Sequence, residues 1–469
     1  MPFDLVIHAG LLVTSSDSFR ADLGIDGGKI AAIGQKLHGR ETIDARGLYV
    51  LPGAVDPHTH LEMPIGKTQS NDDWFTGTRA AAHGGTTTVI DFVEAAPGQS
   101  LVDALDARKS LAENRAAIDF AFHITLSNTD SSTLDEIPAV IEAGVTSFKA
   151  YTTYESLRLT DGEFLKALQA VSTHKGLLIV HAENDSIVKH FTQELLDSGK
   201  LAPQFHPLSR PDIAEGEAVA RIISLAEAVG APVYIVHISS AKGAAAVAAA
   251  QLRGGEVLGE TCIQYLLLTE AEYQRPGFEA AKFVCQPPLR KAEDCAALWA
   301  ALSAGSIRTI GTDHCPFNFV GQKDMGRERF TEIPGGLPGI ESRLALVYSY
   351  GVRKGLISLN QWVSLCCTNP AIIFGLYPHK GALLPGADAD IVLFDPEMKK
   401  TLSQTMLHEN VDYTPYEGFQ LQGYPVKTLL RGEVLIDGGK AMDIEGKGKY
   451  LKCGLPNAKT ALADCPSLV

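Results

Sequence analysis

The chain has 469 residues, which is too long for one small domain and fits a large domain joined to a smaller one. Its formal net charge of −14 argues against nucleic acid or an anionic membrane as the main partner. Hydrophobic residues make up 45% of the chain and charged residues 20%, which is typical of a globular protein, and no uninterrupted apolar run of about 18 residues predicts a membrane span.

All eight cysteines lie from Cys262 onward, at irregular spacing and without a Cys-x-x-Cys pair. This distribution predicts reduced, mostly buried thiols rather than a disulfide framework. The N-terminal Met-Pro-Phe-Asp is not followed by the basic and apolar segments of a secretion signal, so we expect the protein in the cytoplasm.

Short strands are predicted at both ends of the chain, with the tight turn Asp26–Lys29 between two of them. They are Phe3–Ile7, Ala21–Ile25, Ile30–Ile33, Ala389–Phe394 and Val426–Leu430. We expect residues 1–51 and 380–440 to form one small, discontinuous β-sandwich domain. Residues 441–469, rich in glycine, lysine and small residues, are expected to form a tail that is loosely ordered or packed on a neighbouring subunit.

The middle of the chain, residues 52–379, alternates strand-like and helix-like segments, a pattern that predicts a parallel sheet built from βα units. The helix-like segments include Asp72–His83, Pro211–Val229 and Lys291–Ala304. The predicted strands are Val50–Asp56, Thr87–Phe92, Asp119–Thr125, Thr146–Tyr151, Leu177–His181, Val233–His237, Glu256–Glu260 and Ser306–Thr312. This number of strands fits an α/β fold of the TIM-barrel type, (β/α)8. The competing fold is an open doubly wound sheet, but no Gly-x-Gly-x-x-Gly follows the first strand.

Candidate metal ligands follow the predicted strands. His58 and His60 end the first strand, and because they stand two residues apart their side chains point to the same side. Three further groups, His181, His237 and Asp313, also end apolar strands. In a TIM barrel the C-terminal ends of the strands meet at one face, so these groups are predicted to converge there.

Lys149 is the unusual member of this series, since a lysine inside an apolar strand is costly unless its charge is removed or paired. One interpretation is a neutral amine that has reacted with carbon dioxide to give a carbamate, N6-carboxylysine, which can bridge two metal ions. The other is a lysine paired with a carboxylate. Imidazole and carboxylate-type ligands without thiolates suit Zn²⁺, with Mn²⁺ or Co²⁺ as alternatives.

These residues resemble the hydantoinase/dihydropyrimidinase family of cyclic amidohydrolases. The resemblance is collinear and covers nearly the whole chain, through Gly53–Met63, Asp72–Phe92, Ser147–Tyr154, Val180–Asn184, Tyr234–Ile238, Glu260–Tyr265, Gly311–His314, Gly381–Asp390 and Asp412–Gly418. It implies a TIM barrel with a β-sandwich, two zinc ions per subunit, and a homotetramer or homodimer. The implied reaction is hydrolysis of the ring amide of a 5-substituted hydantoin or dihydropyrimidine to an N-carbamoyl amino acid.

The resemblance also implies a role for each site residue. His58, His60 and Asp313 would hold one zinc ion, His181 and His237 the other, and carbamylated Lys149 would bridge the two. Asp313 would accept a proton from the attacking water and pass it to the leaving ring nitrogen. Tyr154, five residues after the lysine, would donate a hydrogen bond to the developing oxyanion.

The predicted substrate contacts comprise Tyr154, Gln286, Gly335, Met63 and Ile65. Two of them depart from the family pattern, since members often have Ser-Pro-Pro where this chain has Gln286-Pro287-Pro288 and Pro-Asn-Gly where it has Pro334–Gly336. The resemblance assigns the ring substituent to three loops, Glu62–Thr68, Glu94–Ser100 and Tyr151–Arg158, and Thr152 and Thr153 are expected to make that wall polar.

Other functions compete with this interpretation. Dihydroorotases typically have an arginine two residues after the second histidine of the metal pair, whereas this chain has Glu62, a poor partner for an anionic substrate. An allantoinase is a further alternative among enzymes. A non-catalytic scaffold protein of the same fold is disfavoured because all six expected ligand positions are filled.

Overall fold

A computed structural model describes residues 2–462 of the chain. Its strands are β1 (Phe3–Val13), β2 (Ser18–Asp26), β3 (Lys29–Gly34), β4 (Gly39–Asp44), β5 (Tyr49–Pro52), β6 (Ala54–Thr59), β7 (Pro64–Ile65), β8 (Thr68–Gln69), β9 (Thr86–Val93), β10 (Asp119–Thr125), β11 (Ser147–Tyr151), β12 (Leu177–His181), β13 (Val233–Ile235), β14 (Val257–Cys262), β15 (Thr309–Gly311), β16 (Ile391–Thr401), β17 (Gln420–Leu430), β18 (Glu433–Asp437) and β19 (Lys440–Ala441).

The α-helices lie mainly between the strands of the middle of the chain. They are α1 (Trp74–His83), α2 (Leu101–Ala112), α3 (Ser131–Asp135), α4 (Ile137–Ala143), α5 (Asp161–Thr173), α6 (Asp185–Asp197), α7 (His206–Ser209), α8 (Asp212–Val229), α9 (Ala241–Leu252), α10 (Ile263–Leu267), α11 (Ala292–Ala304), α12 (Arg343–Val347), α13 (Leu359–Val363), α14 (Asn369–Ile373) and α15 (Ala458–Leu462). Three of them, α1, α8 and α11, match predicted helices within two residues.

Eight strands form the parallel sheet, in the order β6-β9-β10-β11-β12-β13-β14-β15. The last strand lies beside the first, which closes the barrel. Arg343 ties the two together, because its fully buried guanidinium donates to Val55 O at 3.0 Å and to Ile310 O at 2.8 Å. The predicted TIM barrel is confirmed.

The prediction of one strand over Val50–Asp56 is wrong. The segment is divided at Gly53 into β5, which belongs to the terminal sheet, and β6, which opens the barrel. Gly53 N–H donates to Asp390 O at 2.8 Å, and a Cβ at this position would overlap the Thr87 side chain. The chain therefore passes between the domains at a residue where only glycine fits the space.

Strands from both ends of the chain meet in one nine-stranded sheet, which confirms the predicted small β-domain built from the two termini. Its order is β19-β18-β17-β16-β5-β1-β2-β3, with β4 beside β1. The two halves join where β5 pairs antiparallel with β16. The precise domain limits at residues 51, 380 and 440 stay predictions.

A buried ion cluster connects this domain to the barrel. Lys380 Nζ lies 2.6 Å from Asp119 Oδ2 and 2.7 Å from Asp390 Oδ2, and Arg431 also pairs with Asp119. Asp119 begins β10, so the cluster lies at the N-terminal face of the barrel, the face that contributes to stability rather than to catalysis in TIM barrels.

The segment after β19 differs from the predicted tail. Phe120 N–H donates to Lys449 O at 3.0 Å, Leu451 N–H donates to Phe120 O at 2.8 Å, and Cys453 N–H donates to Gly144 O at 2.9 Å. Residues 446–454 are therefore held against the barrel of their own chain. Residues 463–469 lie outside the described part.

The seven cysteines within residues 2–462 are buried free thiols, as predicted. None of the helices in that range combines the length and apolar composition needed to cross a bilayer.

Candidate metal centre and active site

The structure brings together the six predicted ligands at the C-terminal face of the barrel, where they line one cavity of ≈ 600 Å³. They are contributed by five strands of the barrel, β6, β11, β12, β13 and β15, and the segments that directly follow these strands, as the sequence predicts. The residues are His58, His60, Lys149, His181, His237 and Asp313.

His58, His60 and Asp313 form the first cluster, and their potential ligand atoms all lie within 4.8 Å of one another. Asp313 Oδ1 is 3.0 Å from His60 Nε2 and 3.3 Å from His58 Nε2. On the far side of the His58 ring, Nδ1 lies 2.7 Å from Glu260 Oε1. A proton on Nδ1 makes that hydrogen bond, which leaves the Nε2 lone pair directed at the cluster.

His181 and His237 form the second cluster, with His181 Nδ1 2.9 Å from His237 Nε2. His181 Nε2 lies 2.8 Å from Glu183 Oε2, so the same assignment leaves Nδ1 free to bind a metal. The ring centroids of His58 and His237 are 5.3 Å apart, which places the two clusters side by side.

Burial lowers the pKa of His58, His181 and His237, and neighbouring basic groups lower the pKa of His58 and His237 further. Each ring is therefore neutral at pH 7, which is the form that binds a metal. Burial raises the pKa of Asp313, but His58, His60 and Lys149 outweigh it, and the pKa is lowered overall. Asp313 is therefore an ionised carboxylate.

Lys149 lies between the clusters on β11 and is 1% exposed. Among residues 2–462 it forms no ion pair, and its Nζ lies 4.9 Å and 5.2 Å from the ring centroids of Phe92 and Tyr151. Burial lowers its pKa to about 8. The interpretation of Lys149 as a lysine paired with a carboxylate finds no support in these contacts.

The residues present fit a divalent metal. His58 Nε2 is buried without a hydrogen-bond partner, although a buried polar atom normally has one. It lines the cavity together with three other imidazoles and the Asp313 carboxylate, and the cluster of His58, His60 and Asp313 contains no cysteine of residues 2–462. This donor set suits a borderline divalent ion such as zinc.

Three site residues adopt backbone conformations that are rare for residues other than glycine. Tyr154 has φ 73°, His237 has φ 39° and Asp313 has φ 50°. Such conformations cost about 1–3 kcal/mol each and persist where the surrounding structure imposes them. Each lies two or three residues after a barrel strand, and each side chain lines the cavity.

The predicted substrate contacts Tyr154, Gln286, Gly335, Met63 and Ile65 all line this cavity. Substrate contact by these residues stays a prediction, and their position in the cavity lining is consistent with that role. Burial raises the pKa of Tyr154, so its phenol keeps the proton that a hydrogen-bond donor needs.

Two predictions about the cavity wall are wrong. The Thr152 hydroxyl donates to Glu183 O at 2.7 Å and the Thr153 hydroxyl donates to Asp185 Oδ1 at 3.2 Å, so both are buried and neither lines the cavity. Glu62 is also outside the lining, because its carboxylate pairs with Arg115 at 3.0 Å. In both cases backbone direction in a loop decided which side chain enters the cavity.

The two departures from the family pattern touch each other in space. A Cβ built on Gly335 would overlap the side-chain amide of Gln286. The larger side chain at 286 therefore occupies the volume that glycine leaves empty at 335, so the two differences form one linked change.

Lys323 fixes the segments that carry these two residues and was not among the predicted site residues. Its ammonium is fully buried and donates to Val284 O at 2.7 Å, Pro334 O at 2.8 Å and Gly336 O at 2.8 Å. Each of the three ammonium protons is donated to one backbone carbonyl. Lys323 therefore connects the segment that contains Gln286 with the segment that contains Gly335.

Three further residues support the predicted ligands. Glu260 accepts from His58, from the Tyr234 hydroxyl at 2.8 Å and from His237 N–H at 3.2 Å. Glu183 is paired with Arg210, whose guanidinium lies 5.4 Å from the Tyr154 ring centroid. The sequence offered a signal for both, because Glu260 stands inside the apolar strand β14 and Glu183 comes two residues after the predicted ligand His181.

A TIM barrel with histidine, aspartate and lysine side chains at its strand ends is the arrangement expected of a metal-dependent hydrolase, and a profile described as the Amidohydrolase family matches residues 49–435 of this chain. That range contains the whole barrel and all six candidate ligands.

Individual relatives show which family of amidohydrolases the chain resembles over its length. The chain is 44% identical over 451 residues to a D-hydantoinase of Geobacillus stearothermophilus, covering 95% of this chain and 96% of the relative. The solved dihydropyrimidinase of Brevibacillus agri NCHU1002 matches with a TM-score of 0.95 and 43% identity, over 96% of this chain and 99% of that one. The solved L-hydantoinase (dihydropyrimidinase) of Arthrobacter aurescens matches with a TM-score of 0.88 and 30% identity, over 96% and 100%. The chain belongs to the hydantoinase/dihydropyrimidinase family of cyclic amidohydrolases.

Proposed function

We propose that this protein hydrolyses the ring amide of a 5-substituted hydantoin or a dihydropyrimidine and releases an N-carbamoyl amino acid. The observation that carries the proposal is the convergence of all six candidate ligands with Tyr154 in one cavity. The relatives named D-hydantoinase, at 44% identity, favour the D-enantiomer of a substituted hydantoin as the better substrate.

The proposed metal is zinc, two ions per subunit, with Mn²⁺ or Co²⁺ as substitutes. His58, His60 and Asp313 would hold one ion, His181 and His237 the other, and Lys149 as N6-carboxylysine would bind both. A bound divalent ion supplies Lewis acidity, which polarises the ring carbonyl and lowers the pKa of water.

The chain's own residues complete the reaction. The Asp313 carboxylate accepts the proton of the attacking water and returns it to the leaving ring nitrogen, so no net proton is consumed by the enzyme. The Tyr154 hydroxyl donates a hydrogen bond to the carbonyl oxygen as negative charge develops there. Glu260 and Glu183 hold the rings of His58 and His181 in the orientation that the clusters require.

Backbone groups of the two segments joined by Lys323 would hold the ureide ring. A ureide ring has alternating N–H and C=O groups. Its N–H groups can donate to backbone carbonyls of these segments, and its C=O groups can accept from backbone amides. A homotetrameric or homodimeric assembly and a cytoplasmic location belong to the same proposal. The assembly is supported by the resemblance, and the location is the expectation from the sequence.

The proposal is tested by a hydrolysis panel with purified protein. The panel comprises hydantoin, 5-alkyl and 5-aryl hydantoins of both hands, dihydrouracil, allantoin and dihydroorotate. We expect ring opening of hydantoins or dihydrouracil, faster for the D-hydantoins, and loss of turnover when the metal is removed by a chelator. Turnover of allantoin or dihydroorotate alone would establish a rival activity, and no turnover with metal-loaded protein would overturn the proposal.

The contact between residues 286 and 335 leads to a prediction of non-additivity. We expect Gly335→Asn alone to lower kcat/KM by about tenfold, because the Gln286 amide must leave the space that the new side chain needs. Gln286→Ser combined with Gly335→Asn, which restores the pattern of the family, should recover most of that loss and alter the order of substrates in the panel.

Steady-state kinetics of the two single variants and the double variant measure the coupling. Gln286→Ser alone is the matched control, because it empties the space without filling it. Additive effects in the double variant would contradict the linkage between the two positions.

A further inference from the structure

One carboxylate in the cavity is not used by the proposed chemistry. Glu94 directly follows β9 and lines the same cavity as the candidate ligands. Its side chain is exposed to the cavity, and among residues 2–462 it forms neither a hydrogen bond nor an ion pair. It is therefore an acidic group without a direct partner among these residues, although His60, Lys149 and Arg108 attract it over a longer range.

The other acidic groups of the cavity lining do have partners. Asp313 lies against His58 and His60, and Glu332 lies 3.5 Å from Arg329. Glu94 thus differs from them in having its charge available to a bound molecule. Burial raises the pKa of Glu94, while the nearby His60 and Lys149 lower it.

The cavity that contains Glu94 also has several apolar side chains in its lining. The cavity lining includes Met63, Ile65, Leu157, Met325 and Ile333. An apolar stem packs well against such side chains, whereas a carboxylate without a direct partner is stabilised by an approaching cation. The combination suits a side chain with a hydrocarbon stem and a positively charged end.

We propose that Glu94 makes this enzyme selective for hydantoins whose 5-substituent ends in a cationic group, such as an aminoalkyl chain. This inference rests on the proposed function and names its substrate class. Catalysis at the ring would use the residues already described, and Glu94 would contact only the substituent.

A cation from the protein is the competing partner. Lys67 lies in the turn between β7 and β8, lines the cavity and is exposed, but forms no ion pair within the described residues. Glu94 is held at the end of a barrel strand, whereas Lys67 has a long flexible side chain on a two-stranded hairpin. Ordering that side chain costs conformational entropy, so an exposed pair gains little.

The test compares kcat/KM for D-5-(4-aminobutyl)hydantoin and D-5-pentylhydantoin, which have similar length and differ in charge. We expect the native enzyme to prefer the amine by about tenfold, and Glu94→Gln to abolish the preference. Glu94→Lys should reverse it in favour of a carboxyalkyl substituent. Unsubstituted hydantoin is the control, because it has no substituent to contact Glu94, and the amine preference of each variant is expressed relative to its turnover of hydantoin.

The outcomes separate this inference from the proposed function. Failure of native enzyme to open unsubstituted hydantoin or dihydrouracil would overturn the proposed function. Two results would overturn the role of Glu94 while hydantoin is turned over normally. One is a native enzyme that does not prefer the amine, and the other is a preference for the amine that persists in Glu94→Gln. A preference for the amine that emerges only in Lys67→Met would show that Lys67 neutralises Glu94, which also overturns the inference for the native enzyme.

Discussion

Lys149→Ala is expected to lose at least about 10³-fold in kcat and to bind metal poorly, because the substitution removes the group proposed to join the two histidine clusters. Alanine leaves a space where the lysine side chain stood between Phe92 and Tyr151. A short carboxylic acid such as acetate or propionate can enter that space and supply carboxylate oxygens. Partial recovery of activity with increasing acid concentration is therefore the expected signature.

The matched control is Lys149→Met, which also lacks the amine but fills the space with an apolar side chain. It should be as inactive as the alanine variant and should not respond to carboxylic acids. Metal content is measured by elemental analysis and folding by circular dichroism. Full activity of Lys149→Ala without added acid would contradict the bridging role.

Tyr154→Phe is expected to lower kcat by about 10²–10³-fold, with metal content unchanged. The Tyr154 ring centroid lies 5.1 Å from that of His181, so the phenol is beside the proposed metal site without being one of its ligands. Its hydroxyl is the only part removed by the substitution. The loss should therefore fall on the chemical step.

Tyr151→Phe provides the control, since Tyr151 lines the same cavity and its ring lies 5.9 Å from Tyr154. It should change kcat by less than about tenfold, because no step of the proposed reaction uses its hydroxyl. A loss confined to KM in Tyr154→Phe would contradict the oxyanion role.

The barrel and its ligands could be predicted from the sequence because each ligand follows an apolar strand. His181 and Asp313 are examples, since the topology of a parallel barrel alone brings strand ends together. Side-chain direction in a strand follows from its period of two, which is why His58 and His60 were predicted as a pair.

The loops gave weaker signals, because no simple period fixes the direction of their side chains. Thr152 and Glu62 were expected at the cavity, but they form hydrogen bonds and ion pairs elsewhere. Glu94 enters the cavity one residue after a strand, and only the structure shows that it has no partner. The contact between Gln286 and Gly335 joins two distant segments and could not be predicted from either.

The pairing of β5 with β16 has a consequence for how the protein is made. Pro52 pairs with Ile391, so the nine-stranded sheet cannot be completed until most of the chain has left the ribosome. The barrel strands lie between these partners and can assemble earlier, while the N-terminal strands expose their edges to other chains. The edge of β5 that pairs with β16 therefore stays without its partner strand until residues 391–394 have been made.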